Sequence, residues 1–579
     1  MFTKKKPAIS SQRVARLIAG ATCFLILGLT LEQIAVAQSA PVYSHSSRDK
    51  NNLANGYLVY HPIVTDRQGK ILPWYSPSPG DSYDHVLGLV WGFWFGIRRD
   101  MNGLPYYMNH QIYLEDYNDY RGIGGDQFQV ALESWRLYYG YSGKEAVLEN
   151  MKFIADYYIT HGLSPADSKW PNLPFSYNTK VYSGIYDGDM ILGKDYVQPD
   201  KAGAFAYELL QLYKMTGNPE YLKVVVHIAD TLAAHTQAGD EDNSPLPFKV
   251  NVVTGAIGEL KDPGTGAVVL PASYTSSCAG TLSLYLDLIA MGKGNSAIYK
   301  HAFDTTLQWM KKYPMRNAKW GPYYEDVSGW SNTQVNAANW VWFMLHHREY
   351  FPEWKTEAKS ILDWTYKEFG NTTWAKYGVT VLDEQTSFRY EGSSHSAHQA
   401  AVDLLYAKLS GDESRVENAV RMLNWATYMV DNDGKNQYPV EGIWMTDGYG
   451  DYARHYLRAM GEWPDLMPAQ QNHLMRTSTA IKKMEYWPDF LYGNWAIALD
   501  EHELTAGKQH WSRIHYVTSE NRSQEVFYLS VKPVEVREGD HLLPETQKVG
   551  AGSWTWQARN SGGLLTIDHQ AASDIKVIW

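Results

Sequence analysis

The densest run of reactive side chains in this 579-residue sequence is Glu384–Gln399, EQTSFRYEGSSHSAHQ. It holds Glu384, Arg389, Tyr390, Glu391, His395 and His398. Arg389 can grip a carboxylate with two parallel hydrogen bonds. Tyr390 and His395 are the types that remove a proton beside a carboxylate and return it to a leaving oxygen, as β-elimination of a uronic acid requires. His395 and His398 are three residues apart and share a face if both are helical. Without a third ligand that pair does not make a metal site, so no metal and no cofactor is expected, and His398 falls to substrate binding.

A second constellation is Gly321–Asn339, GPYYEDVSGWSNTQVNAAN. Glu325 and Asp326 are flanked by Tyr323, Tyr324 and Trp330, and followed by Gln334, Asn336 and Asn339. Glycosidic hydrolysis uses one carboxyl to protonate the leaving oxygen and another to activate water or attack the sugar. The acid needs a raised pKa, which apolar or acidic surroundings supply. Adjacent acids in an extended link point to opposite sides, so one of the two faces substrate. A third, Trp444–Arg454 (WMTDGYGDYAR), places Asp447 and Asp451 four apart at a helix entrance, with Tyr449 to stack and Arg454 to bind an anion. Each aspartate also suits a plain helix cap.

Two further acidic sites accompany these. Gly124-Gly125-Asp126-Gln127 opens a helix, its glycines permitting close backbone approach. Asp187-Gly188-Asp189 and Asp200 share a link with Trp170 and Tyr177, where Asp-Gly-Asp equally makes a turn. The expected catalytic set is therefore Glu325, Asp326, Glu384, Tyr390, His395, Asp447 and Asp189. The expected binding set is Asp126, Gln127, Trp170, Trp330, Asn336, Arg389, His398, Tyr449, Asp451 and Arg454.

Aromatic residues make up 14% of the chain, with 22 Trp and 42 Tyr, more than packing alone asks for. Flat aromatic faces bury the C–H side of sugar rings, so carbohydrate is the expected partner. The net charge of −11 argues against nucleic acid. Lys4, Lys5, Lys6, Arg13 and Arg16 precede an apolar run from Leu17 to Leu31 and the small-residue site Ala35-Val36-Ala37, the pattern of a cleaved export signal. The expectation is a periplasmic or extracellular protein with no membrane span after cleavage. Cys23 lies in the signal, leaving Cys278 alone, so no disulfide is expected in the mature chain.

Positioning these residues falls to a repeated unit. Apolar helices are expected in pairs broken by Gly, Asn or Pro: 127–139 with 146–159, 201–214 with 221–235, 279–290 with 298–313, 335–347 with 354–369, and 396–409 with 413–430. An additional helix is expected from Tyr83, and a last copy begins at Tyr449–Met460 and pairs with Asn472–Met484. Turns within pairs are short. Links between pairs are long, which usually signals function, and they hold the reactive residues. A ring of hairpins accounts for both, with inner helices lining the middle and long links meeting at one mouth. The pair LLQLYKMTGNPEYLKVVVHIADTL (Leu209–Leu232) resembles the hairpins of the six-hairpin, (α/α)6-toroid carbohydrate-active enzymes, which include unsaturated glucuronyl hydrolases and polysaccharide lyases. That resemblance implies a site at the mouth of the inner ring.

The expected fold is mainly α: residues 1–37 a signal peptide, 38–82 an extended lead-in, 83–503 an (α/α)6-type toroid, and 504–579 a small antiparallel β domain that caps the toroid or binds glycan. The expected function is a glycoside hydrolase on an oligo- or polysaccharide. A lyase of the same architecture and a non-catalytic glycan binder are the alternatives.

Overall fold

The computed structural model describes residues 61–97, 99–108, 128–142, 144–180, 182–261, 265–324, 329–387, 389, 391–430, 432, 434, 447–467, 532–558, 563–572 and 574–578, with short strands elsewhere. The expected signal peptide lies outside the described residues. Among the described residues twelve helices exceed one turn: α1 (Pro79–Gly96), α2 (Phe128–Ser142), α3 (Glu145–His161), α4 (Pro199–Thr216), α5 (Pro219–His235), α6 (Ala279–Ala290), α7 (Ser296–Lys312), α8 (Gln334–His346), α9 (Trp354–Phe369), α10 (Ser393–Ser410), α11 (Val416–Ala426) and α12 (Asp447–Glu462). None is long and apolar enough to cross a membrane.

Six of them close on themselves. α2 packs on α4, α4 on α6, α6 on α8, α8 on α10, α10 on α12, and α12 returns to α2. An outer helix backs each: α3, α5, α7, α9 and α11 behind α2, α4, α6, α8 and α10, and α1 behind α12. The molecule is thus a six-hairpin (α/α)6 toroid. The inner helix α10 is buried at every position from Ser393 to Ala407, as a helix enclosed on all sides must be. Outer helices bury a stripe; in α1 it runs Tyr83, Val86, Leu87, Val90, Trp91 and Trp94.

The turns follow from local chemistry. Between α4 and α5, Gly217 takes a left-handed conformation (φ 70°) open to glycine at little cost. The Asn218 side chain then caps α5 by accepting from the Glu220 amide at 3.1 Å, with Pro219 opening the helix. Small residues let the inner helices approach. A Cβ on Gly203 would lie 1.9 Å from Thr281 Oγ1, and one on Gly280 would lie 2.8 Å from the Ala204 backbone.

The last hairpin is closed by the first helix. Among the described residues α12 packs on α1; of the expected partner Asn472–Met484 only Leu474–Met475 is described, as a strand paired with Tyr528–Leu529, and the rest lies outside the described residues. The lead-in is tied to the far end of the ring as well. Trp74 Nε1 donates to the Thr427 carbonyl at 2.8 Å, the Val64 amide donates to Tyr428 Oη at 2.8 Å, and Tyr83 Oη donates to Asn424 at 2.7 Å.

After α12 the chain forms antiparallel sheets. One runs, in spatial order, Leu474–Met475, Ser523–Leu529, Gly563–His569 and Ser553–Ala558. The other runs Ile497–Leu499, Arg513–Val517, Asp574–Ile578, Glu535–Glu538 and His541–Leu543. Trp554 is buried, its indole N–H donating to the Leu543 carbonyl at 3.0 Å, so it serves packing and offers no open stacking face. His569 joins the two sheets, with Nε2 3.3 Å from Glu525 and Nδ1 3.8 Å from Glu538, all three buried.

Candidate functional site

The inner helices start on one side of the ring, and the long links deliver side chains there. Pro322 anchors one link: its carbonyl accepts from Asn336 Nδ2 and from Thr275 Oγ1, both at 3.1 Å. This fixes the following Tyr323 and Tyr324, whose rings meet edge to face at 5.0 Å. Tyr324 Oη is hydrogen-bonded to His395 Nε2, in the first turn of α10, and both residues are buried. Lys201, in the first turn of α4, places its ammonium over the Tyr323 ring. Gln129, in the first turn of α2, donates to Tyr323 Oη at 3.4 Å. Side chains from α2, α4 and α10 thus converge on the two tyrosines of this link.

Beneath them the ring encloses a cavity of about 150 Å³. Tyr323, Gln129, Ser276 and Asn336 line its upper part, and Glu133, Arg136, Glu208, Arg454 and Arg458 line it further along the helices. Asn336 Oδ1 is buried there without a hydrogen-bond partner. The volume matches a cavity known to admit a six-membered ring.

Two carboxyls near this end are held toward the neutral form. Burial pushes Asp200 up to about 6, partly offset by Lys201. Its Oδ2 lies 3.5 Å from Thr275 Oγ1, and its Oδ1 is buried with no partner. Burial raises Glu391 to about 7, and neighbouring Asp383 adds to the effect.

The expected residues separate into three groups. His395 and Asn336 stand in this convergence, and Glu384 is buried in the link before α10, 3.4 Å from the Gln385 side-chain amide. Trp330 is 37% exposed and edge-on to Tyr274. A second group makes contacts with other side chains of the fold. Asp189 forms a fully buried salt bridge with Lys249 at 2.9 Å and accepts from Gln198 and the Ile191 and Leu192 amides, so its carboxylate is a brace. Trp170 is a core residue stacked on His235 at 3.9 Å. Arg389 pairs with Glu368 at 2.7 Å and lies 3.9 Å from Asp383. Arg454 pairs with Glu133 at 2.7 Å. His398 stacks on His455 at 4.4 Å. The third group lies outside the described residues: Glu325, Asp326, Tyr390, Asp126 and Gln127, with the side chains of Asp447, Tyr449 and Asp451 in α12. Sequence reasoning took Tyr323 and Tyr324 as aromatic flanks of Glu325 and Asp326 and did not single out Lys201 and Gln129. The available signal was position, since Lys201 and Gln129 stand in the first turns of inner helices and the tyrosines lie in the link before another.

No protein-family model and no curated protein sequence matches the chain. Solved structures with a similar fold include a cellobiose 2-epimerase from Spirochaeta thermophila, at 13% identity and TM-score 0.49, covering 66% of this chain and 96% of that one. An unsaturated glucuronyl hydrolase from a Bacillus species, described as responsible for glycosaminoglycan degradation, is 13% identical at TM-score 0.39, covering 66% and 96%. A polysaccharide lyase is 12% identical at TM-score 0.41, again covering 66% and 96%. At these values the likeness is one of fold, and it carries nothing about substrate or reaction.

Proposed function

We propose that this protein is an exported carbohydrate-active enzyme that cleaves an acidic glycan by β-elimination. The observation that supports this reading is the hydrogen bond between Tyr324 Oη and His395 Nε2 at the mouth of the ring. The neutral pair accepts one more proton. As the tyrosine oxygen takes the proton from C5 of a uronic acid, its own proton passes to the imidazole. The C4–O4 bond breaks, the C4–C5 double bond forms, and the proton returns to O4. Lys201 supplies the positive charge that the substrate carboxylate needs as the carbanion develops.

Sequence alone puts hydrolysis first; the tyrosine–histidine pair moves elimination ahead. Hydrolysis keeps one specific support, because Asp200 and Glu391 are held protonated toward neutral pH, as a general acid requires. One assay separates the two. The protein is incubated with acidic and neutral polysaccharides while reducing ends and near-ultraviolet absorbance are followed together. Elimination raises both signals, and Tyr324→Phe and His395→Asn each lower the rate by about 10²–10⁴. Reducing ends without absorbance overturn the elimination and transfer the chemistry to the carboxyls.

A further inference from the structure

Helix α10 opens without the residue type that a helix entrance favours. Its N-cap is Gly392, in an extended conformation (φ −98°, ψ 128°) open to any residue. Ser, Thr, Asn or Asp at that position would accept from the free amides of the first turn. Backbone freedom therefore does not account for the glycine. The space beside it does. A Cβ on Gly392 would lie 2.0 Å from His395 Nδ1 and 3.0 Å from Cε1 and Cγ, so the three nearest atoms beyond its chain neighbours all belong to one imidazole. The shortest of these falls about 1.5 Å inside an ordinary contact. Helical geometry is the cause. Side chains lean toward the N-terminus of their helix, and His395, the third residue of α10, folds back over residue 392.

Neither neighbour of the ring is free to retreat. The Gly392 amide donates to the Leu382 carbonyl at 3.3 Å, and the Gly392 carbonyl accepts from the Ser396 amide at 3.1 Å. Ser396 Oγ accepts from the Leu382 amide at 3.0 Å, which ties the start of α10 to the buried strand Val381–Leu382. On the other side of the imidazole, Nε2 is hydrogen-bonded to Tyr324 Oη, and the tyrosine's link is anchored through the Pro322 carbonyl. The ring is seated between a pinned backbone and a pinned tyrosine, so a side chain at 392 has to displace it.

We infer that Gly392 is a positioning residue: the absence of a side chain there seats the His395 imidazole against Tyr324. Its effect on rate rests on the reading of that pair as the reacting groups. The seating itself does not, and it is tested without turnover.

The probe is the imidazole nitrogen signal of the full chain labelled with nitrogen-15 at histidine. His395 is assigned as the resonance that His395→Ala removes. Tyr324→Phe is expected to shift this resonance, because Nε2 loses its partner. Gly392→Ala is expected to shift it as well, and Tyr324→Phe added to Gly392→Ala then changes it little. Gly392→Ala is expected to lower the thermal unfolding midpoint of the wild type and to leave that of His395→Ala unchanged, because the ring it collides with is gone. If Gly392→Ala alone does not fold, His395→Ala restores folding. On a glycan that the wild type degrades, Gly392→Ala lowers kcat by about 10²-fold with KM held, the effect of a displacement of about 1 Å.

A His395 resonance that Gly392→Ala does not move overturns the inference, as does an equal loss of stability with and without the His395 ring. An unchanged kcat in Gly392→Ala overturns it where His395→Ala lowers kcat. Where His395→Ala also leaves kcat unchanged, the elimination reading fails instead, and the resonance and stability measurements still decide the seating.

Discussion

Asp189 and Asp200 belong to the same stretch of chain, both are buried, and they are held in opposite ways. Asp189 ends a two-residue strand and is surrounded by donors: Lys249, the Gln198 amide and two backbone N–H groups. Asp200 sits in the first turn of α4, 3.5 Å from the Thr275 hydroxyl, where burial outweighs the lowering effect of Lys201, nearby backbone N–H groups and Lys249. Burial alone does not make an acid reactive. What separates the two is whether the surrounding chain supplies enough donors to satisfy the ionised form. The spent acid fixes the link, and the unsatisfied one keeps a proton available near neutral pH.

Three measurements sharpen or break this contrast. The largest effect is expected from Lys249→Met, which leaves the Asp189 charge buried and unpaired; it costs about 3–5 kcal/mol in chemical denaturation. A loss below about 1 kcal/mol refutes the brace. Asp200→Asn acts in the other direction. In the folded chain Asp200 titrates near 6 and in the unfolded chain near 3.8. The folded state thus holds its proton to higher pH, and the stability this confers is present below about pH 4 and lost as pH rises through 6. The variant is therefore expected to gain on the wild type between pH 4 and 7, by up to about 3 kcal/mol. A difference that does not change over that range shows that Asp200 is ionised like an ordinary carboxylate. The smallest effect is expected from Thr275→Val. It removes a 3.1 Å bond to the Pro322 carbonyl, which keeps Asn336 as a donor, and a 3.5 Å contact to Asp200. The expected cost is about 0.5–1.5 kcal/mol, with the Asp200 midpoint moving upward.

The hairpins were legible because they are local. The predicted limits 279–290 and 354–369 coincide with α6 and α9, since Gly, Asn and Pro breaks and apolar spacing sit within a few residues of each helix. Closure of the ring was not legible, because the pairing of α1 with α12 joins segments at opposite ends of the toroid and no local pattern encodes it. The site divides the same way. Tyr324 stands beside Glu325 and looked like an aromatic flank to an acid; its partner His395 is 71 residues away. Arg454 looked like an anion anchor because Glu133, its partner, lies 321 residues earlier. The state of Asp200 depends on its burial, which outweighs the lysines and backbone N–H groups around it and which a sequence cannot display.

The clasp between the two ends of the ring also bears on how the chain folds during synthesis. Helix α1 leaves the ribosome early with Tyr83, Val86 and Leu87 exposed, and Tyr83 packs on Tyr456 and bonds to Asn424. At about 5–20 residues per second, those partners follow only after tens of seconds. Until then the first helix presents an apolar stripe with part of its final cover missing. The toroid is therefore completed by its last inner helix, and a chain truncated before residue 447 is expected to bind chaperones through its own first helix.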